Sequence, residues 1–271
     1  MKNIIKKINT ILCYNNHNLV KALQVGCLFL LPVGFVILFL NFSLMYFTIT
    51  ILSTLLIAKI GHSIGQHRYF CHKSFNTSNL IEWILAFLST IATTYSAIYY
   101  AGVHRFHHSN SDTGKDPHCP KHIGTVKAFL GFVDQNNVKD IPKNIIKDLI
   151  RNKPAIFFHN YYISTIFLFL LILIIINPLL LFFCYIIPVG YTQFVNGTQI
   201  LFGHKWGYKN FDNSDNSTNN ILWNIITLGE GLHNNHHKKP YEYDFAFTKQ
   251  KYEWDFCAFI IKTFLQKNNI T

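Results

Sequence analysis

The chain has 271 residues, half of them hydrophobic, and a formal net charge of +11. Its mean hydropathy is positive, which marks a membrane protein whose length allows one large domain or two small ones. The positive charge excludes little and does not require nucleic acid, because a basic cytoplasmic face attracted to anionic lipid accounts for it.

The amino tail, MKNIIKKINTILCYNNHN, is basic but is not followed by a long apolar core with a small-residue cleavage site. We therefore expect no removable signal peptide, and the first span to act as the insertion signal. From Ala22 to Ala58 there is no Lys, Arg, Asp or Glu. One span takes roughly 20 apolar residues, so this stretch holds two, expected at 22–40 and 43–60 with a turn at Asn41, Phe42 and Ser43. The segment GQHRYFCH (His67, His72) follows. Five residues turn about 500° on an ideal helix, so these two histidines need a helix end, some bending or two different ions.

Residues 80–101 are apolar but carry Glu82 and many Ser, Thr and Tyr, so they are expected to be buried or interfacial rather than a span. A crossing here would put the whole bilayer between His67 and the next cluster, VHRFHH (His104, His107, His108). Beyond it the chain is polar and basic, with a turn expected in GKDPHCP and a surface helix in VKDIPKNIIKDLIRNK, residues 138–153. A second charge-free stretch, Ala155 to Ile200, is expected to hold spans at 160–176 and 179–198 with a turn at Asn177 and Pro178. Then comes LHNNHH (His233, His236, His237), and last KYEWDFCAFIIKTFLQK, whose helical spacing suits packing on the polar region or at the membrane interface.

Eight histidines in three short segments exceed what core packing demands, and neutral imidazole is a good ligand for iron, zinc and copper. In VHRFHH and LHNNHH they fall at i, i+3 and i+4, so each trio shares a helix face and could meet one or two ions. The 24 Lys and Arg fall in the two tails, the region between the hairpins and the adjoining end of the second span (Lys59). Both hairpins are thus expected to enter the bilayer from the cytoplasm, leaving both termini and all three clusters on that side. Six cysteines without a Cys-x-x-Cys pairing are expected to be free thiols.

GQHRYFCHKSF, VHRFHHSNSDTGKDPH, GHKWGYKNFD and GEGLHNNHHKKP, in that order and spacing, resemble the histidine boxes of the membrane fatty acid desaturase family over most of residues 60–240. The resemblance implies an all-α membrane protein of one domain (1–271). Two hairpins would supply four transmembrane helices, and a cytoplasmic helical cap (about 61–158 and 199–271) would hold a di-metal site. It implies two iron ions, for which zinc can substitute in purified protein, and dioxygen-dependent formation of a cis double bond in a saturated acyl chain. The ligands carried over by position are His67, His72, His104, His107, His108, His233, His236 and His237, with His204 of GHKWGYKNFD as the ninth. The acyl carrier would be coenzyme A, carrier protein or membrane lipid.

The chain has no His-Pro-Gly-Gly haem motif, so two electrons are expected from a separate ferredoxin or b-type cytochrome with its reductase. Arg68, Arg105, Lys205 and Lys238 could receive an acidic donor or carrier phosphates, or could simply belong to a solvated basic face. Asp116 and Glu230 are candidates to accept hydrogen bonds from ligand imidazoles. Where many family members carry an asparagine four residues before the equivalent of His204, this chain has Ile200, with Asn196 and Gln199 out of register. The competing readings are a membrane hydroxylase built on the same boxes, acting on fatty acids or alkanes, and a histidine-rich metal transporter or binding protein. The second would favour ionisable ligands inside the spans, which carry none.

Overall fold

The computed structural model describes residues 18–267, so the basic tail on which the signal-peptide expectation rests lies outside the described residues. Among the described residues the chain is helical, with two isolated antiparallel bridges (Tyr208–Asn219 and Asn219–Leu232) and no strand. It forms two compact units. The first takes the chain up to Gln66, Trp83–Tyr100 and Lys147–Phe194; the second takes His67–Glu82, Ala101–Ile146 and the chain from Val195 onward.

Helix α1 (Asn18–Leu40) is apolar around most of its circumference, and Phe29, Phe39 and Leu40 are each at least 68% exposed. Such a surface suits lipid rather than water. After the expected turn, the Ser43 hydroxyl accepts the Tyr46 amide at 3.1 Å and starts helix α2 (Leu44–Cys71). The helix does not stop at residue 60, where the span was expected to end. The charge of Lys59, taken as the limit of the span, is buried, and the helix runs on in a wider π-winding from Leu55 to Cys71.

Helix α3 (Asn79–Ile91) has 13 residues, about 20 Å at 1.5 Å per residue, too short for a hydrocarbon core of ~30 Å. The left-handed residues Thr93 and Tyr95 then break the chain before helix α4 (Ala97–Asn110). The surface helix expected over 138–153 is absent. In its place are a short helix (Gln135–Lys139) and two 3-10 turns (Lys143–Ile146 and Leu149–Arg151), because Pro142 lacks an amide donor and disfavours helical backbone at Ile141. Helix α5 (Lys153–Asn160) bends by 73° into α6 (Tyr162–Ile176), and the turn at Asn177 and Pro178 leads to α7 (Leu179–Phe202).

Among the described residues three helices, α1, α2 and α7, are long and apolar enough to cross a membrane, and α5 with α6 makes a fourth if the bent pair acts as one. Within the first unit Ile57, Leu88, Ile166, Tyr185 and Val189 share a core. Lipid tails are as apolar as these side chains, so close packing rather than escape from water must hold the helices together. Glycines provide it: a Cβ on Gly190 would stand 2.5 Å from the Cys27 carbonyl oxygen, and one on Gly61 2.5 Å from that of Leu88.

The second unit ends in three short helices, α8 (Ile221–Thr227), α9 (His233–Lys238) and α10 (Phe256–Leu265). None of the five described cysteines, Cys27, Cys71, Cys119, Cys184 and Cys257, is in a disulfide.

Candidate metal centre

All nine histidines singled out in the sequence lie in the second unit, and the structure sorts them into two sets. His67, His72, His104, His108 and His236 bring five ring nitrogens within 4.8 Å of one another; His107, His204, His233 and His237 bring four within the same limit.

The winding of α2 explains the first box. The His72 amide donates to the His67 carbonyl at 3.1 Å, an i→i+5 bond, so the five-residue step that fits an α-helix poorly is one π-turn. Both imidazoles then join the same set. The other two boxes divide in opposite senses. On α4 the i and i+4 residues, His104 and His108, join the set of five while His107 at i+3 joins the other. On α9 the i and i+4 residues, His233 and His237, join the set of four while His236 at i+3 crosses over.

Helix α9 has only six residues and its own cap residue, Leu232, supplies no side-chain acceptor. Its support comes from elsewhere. The Asn219 side-chain oxygen accepts the amides of Asn234 and Asn235 at 2.9 and 3.2 Å. The Asn235 side-chain amide donates to the Phe245 carbonyl at 2.8 Å and to Glu253 at 3.0 Å. The two asparagines of HNNHH are thus the anchors of the helix, fully buried, while its histidines serve the site. Sequence reasoning passed over them because it weighed only the imidazoles.

In the set of five, Nε2 atoms form a closed circuit. His67 lies 3.0 Å from His104 and 3.1 Å from His236, and His108 lies 3.1 Å from His104 and 3.0 Å from His236. Rings adjacent in this circuit have centroids 4.6–4.7 Å apart, whereas His104 and His236 face each other across it at 6.1 Å and 15°. His72 packs against all four, with centroids at 4.7–5.1 Å. Right-angled coordination with bonds of ~2.1 Å separates neighbouring nitrogens by ~3.0 Å, and tetrahedral coordination by ~3.4 Å. The square of four with a fifth imidazole beside it fits the first.

The second ring nitrogens explain why these atoms carry lone pairs. Asp116 accepts from His107 Nδ1 at 2.8 Å, Asp112 from His204 Nδ1 at 2.9 Å and Asp215 from His237 Nδ1 at 2.6 Å, and Glu230 faces His67 Nδ1 at 3.2 Å. A carboxylate accepts only, so each of these Nδ1 atoms carries a proton, the tautomer that presents Nε2 inward as the coordinating nitrogen of a neutral ring. His67 Nε2 faces the Nε2 atoms of His104 and His236, and His204 Nε2 faces that of His233 at 3.1 Å, so ring nitrogens converge in each set. The Nε2 atoms of His72 and His237 are buried without any partner. A cation in each set would satisfy these nitrogens.

Burial first, and neighbouring imidazoles second, push His72, His104, His108, His233, His236 and His237 well below the ordinary imidazole range. They are neutral imidazoles at neutral pH, the form that can bind a metal ion. Burial alone would raise Asp116, but the hydrogen bond and charge of His107 hold its carboxyl below the usual range; Asp112 is lowered by His204 in the same way.

A family profile described as "Fatty acid desaturase" matches residues 41–254, which contain both sets. The chain belongs to the fatty acid desaturase family. It is 30% identical over 208 residues to "sn-1 stearoyl-lipid 9-desaturase" of Anabaena variabilis, a match covering 74% of each chain. It is 33% identical over 203 residues to "Hex-5-enoyl-[acyl-carrier protein] acetylenase" of Moorena producens, covering 67% of this chain and 63% of the relative. To "Stearoyl-CoA desaturase 4" of Mus musculus it is 28% identical over 224 residues, covering 76% and 61%. Against these three relatives the chain thus spans about three-fifths to three-quarters of their length.

In this desaturase family member, His62 stands apart from both sets and bonds Gln66 and Thr94 at 2.8 and 3.1 Å. The Gln199 side-chain oxygen accepts from Trp223 Nε1 at 2.9 Å, and its buried amide nitrogen has no partner. That nitrogen lies beside Gly203, where an added Cβ would stand 2.5 Å from it and 2.9 Å from the His233 ring. Two of the basic residues considered for partner binding are turned inward. Arg68 is wholly buried, and Arg105 donates to the carbonyls of Phe70, Cys71 and Ile145 at 2.6–3.0 Å.

Proposed function

We propose that the chain is an oxygen-dependent fatty acyl desaturase that introduces a cis double bond into a saturated long acyl chain. The observation that carries this reading is the division of nine imidazoles into neighbouring sets of five and four, with the His108 and His237 ring centroids 4.4 Å apart across the divide. One iron ion would be held by His67, His72, His104, His108 and His236, and a second by His107, His204, His233 and His237. Reduced iron supplies the dioxygen chemistry that takes two hydrogens from unactivated methylenes, which side chains alone cannot oxidise.

The protein's part is to hold the site ready. Carboxylates keep protons on the outer ring nitrogens and aim the inner ones, and burial excludes water from the reacting groups. With no carboxylate among the nine inner positions, the coordinating groups are neutral and add no negative charge to the metals. The two electrons come from a separate donor, a ferredoxin or a b-type cytochrome with its reductase. The acyl carrier is coenzyme A, carrier protein or lipid, the classes that appear in the relatives' names. The basic residues flanking the charge-free stretches support an orientation with the sets and both termini on the cytoplasmic side.

The test is the fatty acid profile, by gas chromatography and mass spectrometry, of a desaturase-deficient host expressing the chain or His108→Ala. A new cis monoene with the intact chain, absent from the variant at equal membrane content, is expected. A hydroxylated product, or an equal monoene from both, overturns the proposal.

A further inference from the structure

Arg68 sits between a metal-set histidine and the aromatic Tyr69 on α2, yet it points at neither set. Its side chain is wholly buried, with Nη1 donating to Asp255 Oδ1 at 3.0 Å and Nη2 to Glu230 Oε1 at 2.9 Å. The other oxygen of Glu230 is the one facing His67 Nδ1. The guanidinium carbon stands 3.9 Å over the centroid of the Phe245 ring, whose own centroid is 4.5 Å from that of His236 and 5.9 Å from that of His67. One planar cation thus touches the polar support of a first-box imidazole and the apolar support of a third-box imidazole.

We propose that Arg68 is a positioning residue for the set of five imidazoles, orienting His67 through Glu230 and His236 through Phe245, and locking both to the carboxyl-terminal segment through Asp255. The inference rests on reading those imidazoles as metal ligands. Arginine suits the task because its fork is flat and its donors are fixed in direction, so it can hold two carboxylates while stacking on a ring.

Asp255 is built into the same frame. Its Oδ2 accepts the Phe245 amide at 3.0 Å and its Oδ1 the Ala258 amide at the start of α10, also at 3.0 Å. Gly229, at φ 125°, lets the backbone beside Glu230 press against it, where a Cβ would meet Oδ1 at 2.4 Å. Charge completes the argument. Two carboxylates against one guanidinium leave a formal negative charge beside His67, and a cation held by the neutral imidazoles balances it. A buried ion pair serving only to fasten the chain end would not need a carboxylate shared with a histidine.

The test uses the full chain extracted from membranes as wild type, Arg68→Lys and Asp255→Asn. Lysine keeps the charge but loses the fork; asparagine has a single acceptor oxygen, so with that oxygen on the Phe245 amide its NH2 group faces Arg68 and the Ala258 amide, and the grip on Arg68 is lost together with one backbone bond. Iron per chain, iron release to a chelator and the thermal transition of the iron-free protein are measured. We expect a wild-type transition for Arg68→Lys and a modestly lowered one for Asp255→Asn, with iron per folded chain held about 10–100-fold more weakly at one of two sites in each variant, the loss typical when a ligand's outer partner is removed. Iron retention equal to wild type in both variants overturns the inference, as does a lowered transition with unchanged iron per folded chain, the mark of a purely structural pair. Wild type that binds no iron removes the metal reading and this inference together, whereas wild type with two ions and unaffected variants removes the inference alone.

Discussion

At the scale of the residue, four carboxylates stand behind the imidazoles of the two sets. Asp215 touches His237 Nδ1 at 2.6 Å, and its loop is also closed by its carboxylate accepting the Ser217 amide at 2.9 Å. Asp215→Asn keeps an acceptor but removes the charge that makes the imidazole more basic. We expect metal affinity at the set of four to fall about 10–100-fold while the set of five keeps its ion, read by metal titration of the extracted protein. Equal affinity at both sets would show that the contact does not tune the ligand. Asp116 and Glu230 could be picked out from the sequence because each lies within a few residues of a box. Asp112 was passed over in the same segment, and Asp215 carries no signal at all, since its partner lies 22 residues further on across a loop.

At the scale of the element, small residues decide whether helices approach closely, and the two opposing effects at a helical glycine can be separated. Replacing glycine by alanine inside a helix gains up to ~1 kcal/mol of intrinsic propensity. At Gly61 the new Cβ would meet the Leu88 backbone carbonyl at 2.5 Å, which cannot swing away as a side chain can. Overpacking of that kind costs about 1–3 kcal/mol, so the clash wins and Gly61→Ala should lower the thermal transition in detergent. Gly26, with nothing within 4 Å, is the matched control, and Gly26→Ala should leave the transition unchanged or raise it. If both variants rise, the close approach of α2 and α3 is not a constraint. Both turns of the apolar hairpins could be read from Asn41–Ser43 and Asn177–Pro178, because uncharged runs of this length have few other places to reverse. The end of α2 could not: its π-winding buries Lys59, and a charge counted as a boundary lies inside the protein. The same winding was hidden in the awkward five-residue step of the first box, which signalled an irregular helix without saying which kind.

At the scale of the whole molecule, segregation of charge was the strongest sequence signal, since only long uncharged runs tolerate lipid. It marked the apolar helices, and the boxes marked the residues that meet. What it could not reveal is how tightly those residues are desolvated, and that governs the response to acid. His72, His104, His108, His233, His236 and His237 are all held well below the ordinary imidazole value, 6.5, in the folded protein. In the unfolded chain they titrate near that value. Below about pH 6.5 the unfolded state therefore binds protons that the folded state refuses, and stability falls with pH until the folded values are reached. Above that pH both states are neutral at these positions and the contribution is flat. Iron-free protein should accordingly lose thermal stability steeply as pH is lowered from 7 to 5, whereas His108→Ala and His237→Ala, each with one such group removed, should lose less over the same interval. A metal ion opposes protonation of the same nitrogens, so the iron-loaded protein should hold its transition to lower pH than the iron-free form. Parallel pH dependence in the two forms would mean that the buried imidazoles are not where the metal sits.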